Sequence, residues 1–405
     1  MPTALLILNA GSSSLKFAIY QAGPAGALQA EYRGVIEEIG RNGRFQVFHA
    51  PDAGGLIDRA VTAANHEQAL KQVLDWLEAR HPGQAFHAAG HRVVHGGADF
   101  IHPVRIDEHV LSKLESLVPL SPLHQPHNLA GIRALARLRP DLPQVACFDT
   151  AFHHTLPPLA RQFALPREFG ERGIRRYGFH GLSYEHIASV LPDYLGAAAA
   201  GRVVVAHLGN GASLCAMRQR QSVETSMSFT PLDGLPMASR CGALDPGVLL
   251  YLLREEGMGL EQLDDLLHHR AGLLGVSGIS GDVRTLLESD HPHAAEALDL
   301  FAYRVSQAIV GHAVALEGID ALVFTAGIGE HAAPVRAAIC RRLAWLGLTL
   351  DEAANRRHDP CISAPHSSVS AWIIPTDEER VIARHAWTLT GSGARFGRTG
   401  RDDRN

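Results

Sequence analysis

Lysine is almost missing from this 405-residue chain. Lys16, Lys71 and Lys113 are the only lysines among 37 basic residues. Cysteine is also scarce. Cys147, Cys215, Cys241, Cys340 and Cys361 are odd in number, widely spaced and form no CxxC pair. That excludes a disulfide framework and points to a reducing cytoplasm. No window approaches the roughly 18 apolar residues of a membrane span. The opening MPTALLILNAGSSS has no basic leader and turns polar early, so it is not expected to act as a signal peptide. The net charge is −5 and no long basic tract is present, which argues against nucleic acid as a partner.

The residues that are present suit a large α/β protein. With 46% hydrophobic and 20% charged residues, the chain is long enough for two to three domains at roughly 100–200 residues each. Its core needs no disulfide or structural metal. Leu5–Leu8 and Leu15–Tyr20 read as strands around the tight turn Asn9–Ser14, and Phe45–Phe48 as a strand after a turn at Asn42-Gly43. Val145–Phe148, Val203–Ala206, Ala321–Thr325 and Ala371–Ile374 are apolar runs of buried-strand type. Leu70, Val73, Leu74 and Leu77 recur at helical spacing over residues 66–80, with Asn65 and Gln68 as a capping pair and Pro82-Gly83 as the stop. Strands alternating with helices predict mixed sheets flanked by helices. The tail Gly391–Asn405 is rich in Gly, Arg and Asp, and is expected to be frayed, with residues 397–405 as a disordered end.

An internal echo suggests duplication. Leu6–Ala18 reads LILNAGSSSLKFA, and Val205–Met217 reads VAHLGNGASLCAM, 199 residues later. Each is strand, glycine turn, strand. Two such hairpins, each near the start of a half-chain, predict two related lobes with a cleft between them.

Three glycine turns at strand ends could present backbone N–H groups to phosphate: Asn9–Ser14, His207-Leu208-Gly209-Asn210-Gly211 and Gly327-Ile328-Gly329-Glu330. None fits the Walker or intact GxGxxG pattern, which disfavours the P-loop and dinucleotide readings. Lys16 lies just beyond the first turn, where a compact ammonium suits a point-charge phosphate contact. Lys71 and Lys113 lie in amphipathic stretches and read as surface residues. Arg92, in GHRVVHGG, and Arg240, in SRCG, could each grip two oxygens of a carboxylate or phosphoryl group. Asp149 and Glu378 follow buried strands, where acids border the ligand crevice of α/β folds and can hold Mg²⁺. Thr376–Glu379 also reads as an ordinary helix cap. The 24 histidines invite a metal hypothesis, but His153-His154, His268-His269 and His291/His293 lack zinc spacing. His180, in YGFHG, is held near a turn and could donate to a transition-state oxygen.

These segments together resemble the acetate kinase family. LNAGSSSLKF, GHRVVHGG, CFDTAFH, YGFHG, HLGNG, SRCGALDP, GIGE and PTDEE follow in order over nearly the whole chain. The resemblance implies the fold of the acetate and sugar kinase, chaperone ATPase and actin superfamily, with duplicated ribonuclease-H-like lobes and a nucleotide cleft. It implies an N-terminal lobe of residues 1–150 plus about 384–396 and a nucleotide lobe of 151–383. The implied reaction is reversible, direct in-line phosphoryl transfer from ATP to acetate, giving acetyl phosphate and ADP. Mg²⁺ is the implied cofactor, with Mn²⁺ able to substitute, and a cytoplasmic homodimer the implied assembly.

By the same resemblance, Asn9 and Glu378 help hold the metal. Arg92 and Arg240 flank the acetate carboxylate and phosphoryl group, His180 bonds the equatorial oxygens, and Asp149 is an essential acid. His207–Gly211 cradles the ATP phosphates. Asp282, Val283 and Arg284, with Gly327, Ile328, Gly329, Glu330 and His331, border the nucleoside. Val94, Leu123, Phe179 and Pro231 form the pocket for the methyl group. Three positions depart from the family pattern: His331 replaces Asn, Gly281 replaces Ser, and Gln125 replaces Asn. Propionate kinase activity is the alternative within the class. A non-catalytic, actin-like nucleotide-binding protein is the alternative outside it.

Overall fold

The computed structural model describes residues 4–23 and 27–391. The frayed tail expected beyond Gly391 lies outside the described residues. The chain divides into two compact units, Met1–Ala151 with Glu378–Asn405, and Phe152–Asp377. Among the described residues no helix is long and apolar enough to cross a membrane.

The first unit is built on one mixed sheet. Its strands are β1 (Ala4–Ala10), β2 (Leu15–Ala22), β3 (Leu28–Glu37), β4 (Asn42–His49), β5 (Gly55–Thr62), β6 (Phe86–Val93), β7 (Val104–Arg105) and β8 (Gln144–Phe148). They lie in the order β5-β4-β3-β2-β1-β6-β8-β7. The second unit holds β9 (Arg202–Leu208), β10 (Ala212–Arg218), β11 (Gln221–Thr225), β12 (Ala321–Thr325) and β13 (Ser370–Ile373), in the order β11-β10-β9-β12-β13.

The two sheets share a five-strand core. In the first unit β3, β2 and β1 are antiparallel in succession, and β1, β6 and β8 run parallel. In the second unit β11, β10 and β9 are antiparallel, and β9, β12 and β13 parallel. The hairpins β1–β2 and β9–β10 hold the same place in each sheet, which is the structural form of the sequence echo. This is the actin-like superfamily fold, with helices flanking two mixed sheets.

Burial follows from composition. β1, β8, β9 and β12 are mostly apolar, with polar residues near their ends, and are buried on both faces over most of their length. Such strands read as continuous runs because helices cover both sides of a parallel sheet core. The helix His66–Arg80 buries Leu70, Val73, Leu74 and Leu77 against the first sheet, and Asn65 caps it by accepting from Gln68 N. The turn expected at Asn42-Gly43 falls earlier. Glu38 and Gly40 have positive φ and make it, whereas Asn42 and Gly43 already belong to β4.

The helix Glu378–Thr390 packs on β1, β6 and β8. The whole helix belongs to the first unit, so the return starts at Glu378 rather than near residue 384. Gly90 makes that packing possible: a Cβ there would lie 2.4 Å from Ile382 Cγ2 and 3.2 Å from Ile7 Cδ1. Gly90→Ala should therefore lower stability by about 1–3 kcal/mol, the usual cost of overpacking. Ile382→Ala in the same chain should recover part of that loss. Urea melts of the three variants measure it; additive losses would refute the contact.

Candidate active site

Each unit carries its own cluster of charged side chains at strand ends. In the first unit, β1, β6 and β8 deliver Asn9, Arg92 and Asp149 to the same end of the sheet, and the helix Glu378–Thr390 begins there. Arg92 Nη2 donates to Asp149 Oδ2 at 2.6 Å, and Arg92 Nε lies 3.1 Å from both Asp149 oxygens. Arg92 Nη1 reaches Asn9 Oδ1 at 3.4 Å, and Arg92 Nε lies 3.8 Å from Glu378 Oε2. Asp149 is only 1% exposed. Burial alone would lower the Arg92 guanidinium, but the charges of Asp149 and Glu378 outweigh it and raise its pKa. Burial pushes the Glu378 carboxyl up to about 7, against the pull of Arg92 and of Lys16. Lys16 pairs with Asn9 across β1–β2 and is exposed. Lys71 and Lys113 form exposed ion pairs with Asp75 and Asp99, as surface residues should.

The backbone beside Arg92 is pinned by buried amides. Asn128 Oδ1 accepts from Val94 N at 2.9 Å, and its Nδ2 donates to Ala10 O at 2.7 Å. Gln125 is fully buried; its Oε1 accepts from His95 N and its Nε2 donates to His95 O. The departure at Gln125 is thus a structural clamp on the strand end that carries Val94. Thr150 Oγ1 accepts from Gly96 N. Leu123 is half-buried at the start of this segment. Asn128 and Thr150 carried no readable signal, since isolated Asn and Thr are common in helices and turns.

In the second unit, His180 and His207 stack, with ring centroids 4.2 Å apart and planes 21° apart. His180 Nδ1 bonds Ser213 Oγ at 2.9 Å, and His207 Nδ1 bonds Ser183 Oγ at 2.8 Å. Ser183 Oγ in turn meets Thr376 Oγ1 at 2.8 Å. Arg240 Nη1 donates to Pro231 O at 2.9 Å. The turn at Gly211 passes between these groups. A Cβ at Gly211 would lie 3.1 Å from His180 Nε2 and 3.7 Å from Arg240 Nη1. Phe179 is buried next to His180.

The other expected contacts are arranged differently from simple glycine turns. Gly327–His331 lies in a short helix, Ala326–His331, that follows β12, so the third turn is helical. Thr325 pairs with His207, and Gly209 approaches Ala326, so the second and third glycine segments are neighbours. The Glu330 carboxylate turns inward. Its Oε1 accepts from Ala326 N at 2.8 Å and Thr376 N at 3.2 Å, while His331 is exposed. Asp282 caps the helix Val283–Leu287 and pairs with the exposed Arg284. A Cβ at Gly281 would lie 2.6 Å from Ala238 O, which accounts for glycine at that departure.

The acetokinase family model matches residues 4–384. The chain belongs to the acetokinase family. An acetate kinase of Rhodopseudomonas palustris is 54% identical over 399 residues, covering 97% of this chain and 100% of that one. One from Methylocella silvestris is 46% identical, covering 96% and 98%. Among solved structures, a propionate kinase from Francisella tularensis aligns with TM-score 0.89 at 35% identity, covering 96% and 100%. An acetate kinase from Porphyromonas gingivalis aligns with TM-score 0.86 at 34% identity, covering 96% and 99%. Membership of the acetokinase family makes this chain a phosphotransferase that uses ATP and a divalent cation.

The crowding at Gly211 gives a direct test. Gly211→Ala adds one methyl beside His180 and Arg240 at a position with no positive φ. If His180 and Arg240 act on the substrate, its kcat should fall by about 10-fold or more through their displacement, with an unchanged melting temperature. Full activity in a steady-state assay would show that crowding His180 and Arg240 does not matter to the reaction.

Proposed function

We propose that this chain transfers the γ-phosphoryl group of Mg·ATP to acetate, reversibly and in line, forming acetyl phosphate and ADP. The observation that carries this reading is the presence in one chain of Arg92, Asp149, His180 and Arg240, each held by named partners. A protein that only bound nucleotide would have no use for that set.

Phosphoryl transfer passes through a loose transition state with charge spread over the equatorial oxygens. Catalysis then consists of positioning and positive charge. The acceptor carboxylate has a pKa near ~4.3 and is already ionised at neutral pH, so no general base is needed. In this mechanism Arg92 and Arg240 bind oxygens of the acetate and the phosphoryl group, and the His180 imidazole donates to an equatorial oxygen. Asp149 aims Arg92, and the backbone N–H groups of His207–Gly211 hold the ATP phosphates. Lys16 adds a point charge. Asp282–Arg284 and Gly327–His331 border the nucleoside. Val94, Leu123, Phe179 and Pro231 surround the methyl group.

The donor chemistry of Asn9 and Glu378 fits Mg²⁺, which takes one or two carboxylates and fills its remaining positions with water and phosphate oxygens. Among the described residues no group of three or more His, Cys, Asp or Glu could hold a metal by itself. Mn²⁺ prefers the same oxygen ligands. A cation near Glu378 would draw its carboxyl back to the ionised form. The ion, when bound, neutralises phosphate charge.

A hydroxamate trap with ATP, Mg²⁺ and acetate, propionate or butyrate tests the reaction. Acyl phosphate should form with acetate. None from any acid would refute the proposal, and a preference for propionate would favour the alternative acceptor. One methylene is worth only ~1–3 kcal/mol in such a pocket. Arg240→Ala should lower kcat by on the order of 10²-fold or more. A change confined to KM would make Arg240 a ground-state binder.

A cytoplasmic homodimer completes the reading. No disulfide joins the five cysteines, as a reducing compartment would have it. The helix Pro246–Arg254 has no buried residue, yet carries Val248, Leu250 and Tyr251. Val248 and Tyr251, three positions apart, share one exposed helix side, and that side favours a second copy as its cover. Tyr251→Glu should shift the particle from dimer to monomer by light scattering; an unchanged mass would move the interface elsewhere.

A further inference from the structure

The backbone that carries His180 is held in an unusual shape. His180 has φ 56 and ψ 24, a left-handed conformation, and Gly178 has φ 85. A non-glycine residue in that conformation is strained and persists only where its surroundings enforce it. His153 lies against this bend. It is 2% exposed, and the mechanism gives it no contact with substrate. Its Nε2 is 2.9 Å from Phe179 O, and its Nδ1 is 2.8 Å from Ser222 Oγ.

A carbonyl can only accept, so Nε2 carries the hydrogen and Nδ1 accepts from the Ser222 hydroxyl. The Ser222 oxygen in turn receives Cys215 Sγ at 3.4 Å. The chain of bonds runs one way and fixes one neutral tautomer. Burial depresses the His153 imidazole to about 4, so that tautomer persists at neutral pH. A second path reaches the His180 side chain. The His153 ring meets Tyr184 edge to face at 5.5 Å, and the Tyr184 hydroxyl bonds Ser213 Oγ, the partner of His180 Nδ1. Gly178 leaves the room: a Cβ there would lie 2.5 Å from His153 Cδ2.

We propose that His153 is a positioning residue for phosphoryl transfer. Its Nε2–H grips the Phe179 carbonyl and so sets the left-handed backbone of His180 and the aim of its imidazole. This rests on the reading of His180 as the donor to the transferring phosphoryl group.

A double-mutant cycle in the hydroxamate assay tests it. His153→Leu should lower kcat about 10- to 100-fold, the scale expected for a misplaced catalytic group, with KM for ATP and acetate within about 2-fold. In a His180→Ala background the same change should cost less than about 2-fold, because the ring it aims is gone. His153→Gln, which still presents an N–H to Phe179 O, should return to within about 5-fold of the parent, while the shorter His153→Asn should not. Equal losses in both backgrounds, or equal activity of the Gln and Asn variants, would overturn the proposal. If His153→Leu fails to fold by circular dichroism, the Gln and Asn pair decides. Imidazole ¹⁵N NMR separates this inference from the kinase reading. His153 should keep its Nε2–H tautomer from pH 5 to 8, and His153→Asn should move the His180 signals. Unmoved His180 signals would sink the inference even in an active kinase. A wild-type chain that makes no acyl phosphate would sink the kinase reading while leaving this signal to be read.

Discussion

The ion pair of the half-buried Arg92 with the buried Asp149 is the interaction on which the first unit's site depends. It ties the end of β6 to the end of β8, and through Asn9 and Glu378 it reaches β1 and the returning helix. Asp149 has almost no access to water. Removing Arg92 would leave the buried Asp149 charge uncompensated, which is destabilising. The position of Glu378 depends in turn on packing, since the absent side chain of Gly90 lets the helix Glu378–Thr390 settle on the sheet. A missing methyl group thereby helps place a carboxylate.

The second unit uses the same five-strand core for different chemistry. In the first unit the β1–β2 turn closes with Gly11 N donating to Ser14 O; in the second the β9–β10 turn closes with Gly209 N donating to Gly211 O. Ser213, the counterpart of Ser14 in the echo, has become the partner of His180 Nδ1. The two units share the hairpin's place in the sheet, while the side chains on the equivalent hairpins differ. Cations and stacked imidazoles suit a reaction whose transition state spreads negative charge over oxygens.

Legibility followed burial and periodicity. Ala321–Thr325 was readable to the residue because a strand buried on both faces reads as a near-continuous apolar run, here Ala321–Phe324 closed by Thr325. Residues 66–80 were readable because one helical stripe faces the core. β5 was not, because most of its residues are exposed and its pattern is too polar to distinguish from a loop. Gly327–His331 read as a glycine turn, yet forms a helix, because the strand preceding it and the inward Glu330 carboxylate hold it. Arg92 and Asp149 were each visible as candidates, but their pairing spans 57 positions and no local rule links them.

By itself the amino-acid sequence determined the class of protein, the family resemblance and the candidate groups, because glycine turns, apolar runs and ordered motifs are local properties. Only the tertiary structure decided which groups meet. It paired Arg92 with Asp149, stacked His180 on His207, turned Glu330 toward backbone and placed His153 beneath the His180 bend. Those contacts arise from strand order and close packing, which bring together residues that are distant in the chain. The one that matters most for His180 is a side chain gripping a carbonyl, and no residue pattern records it.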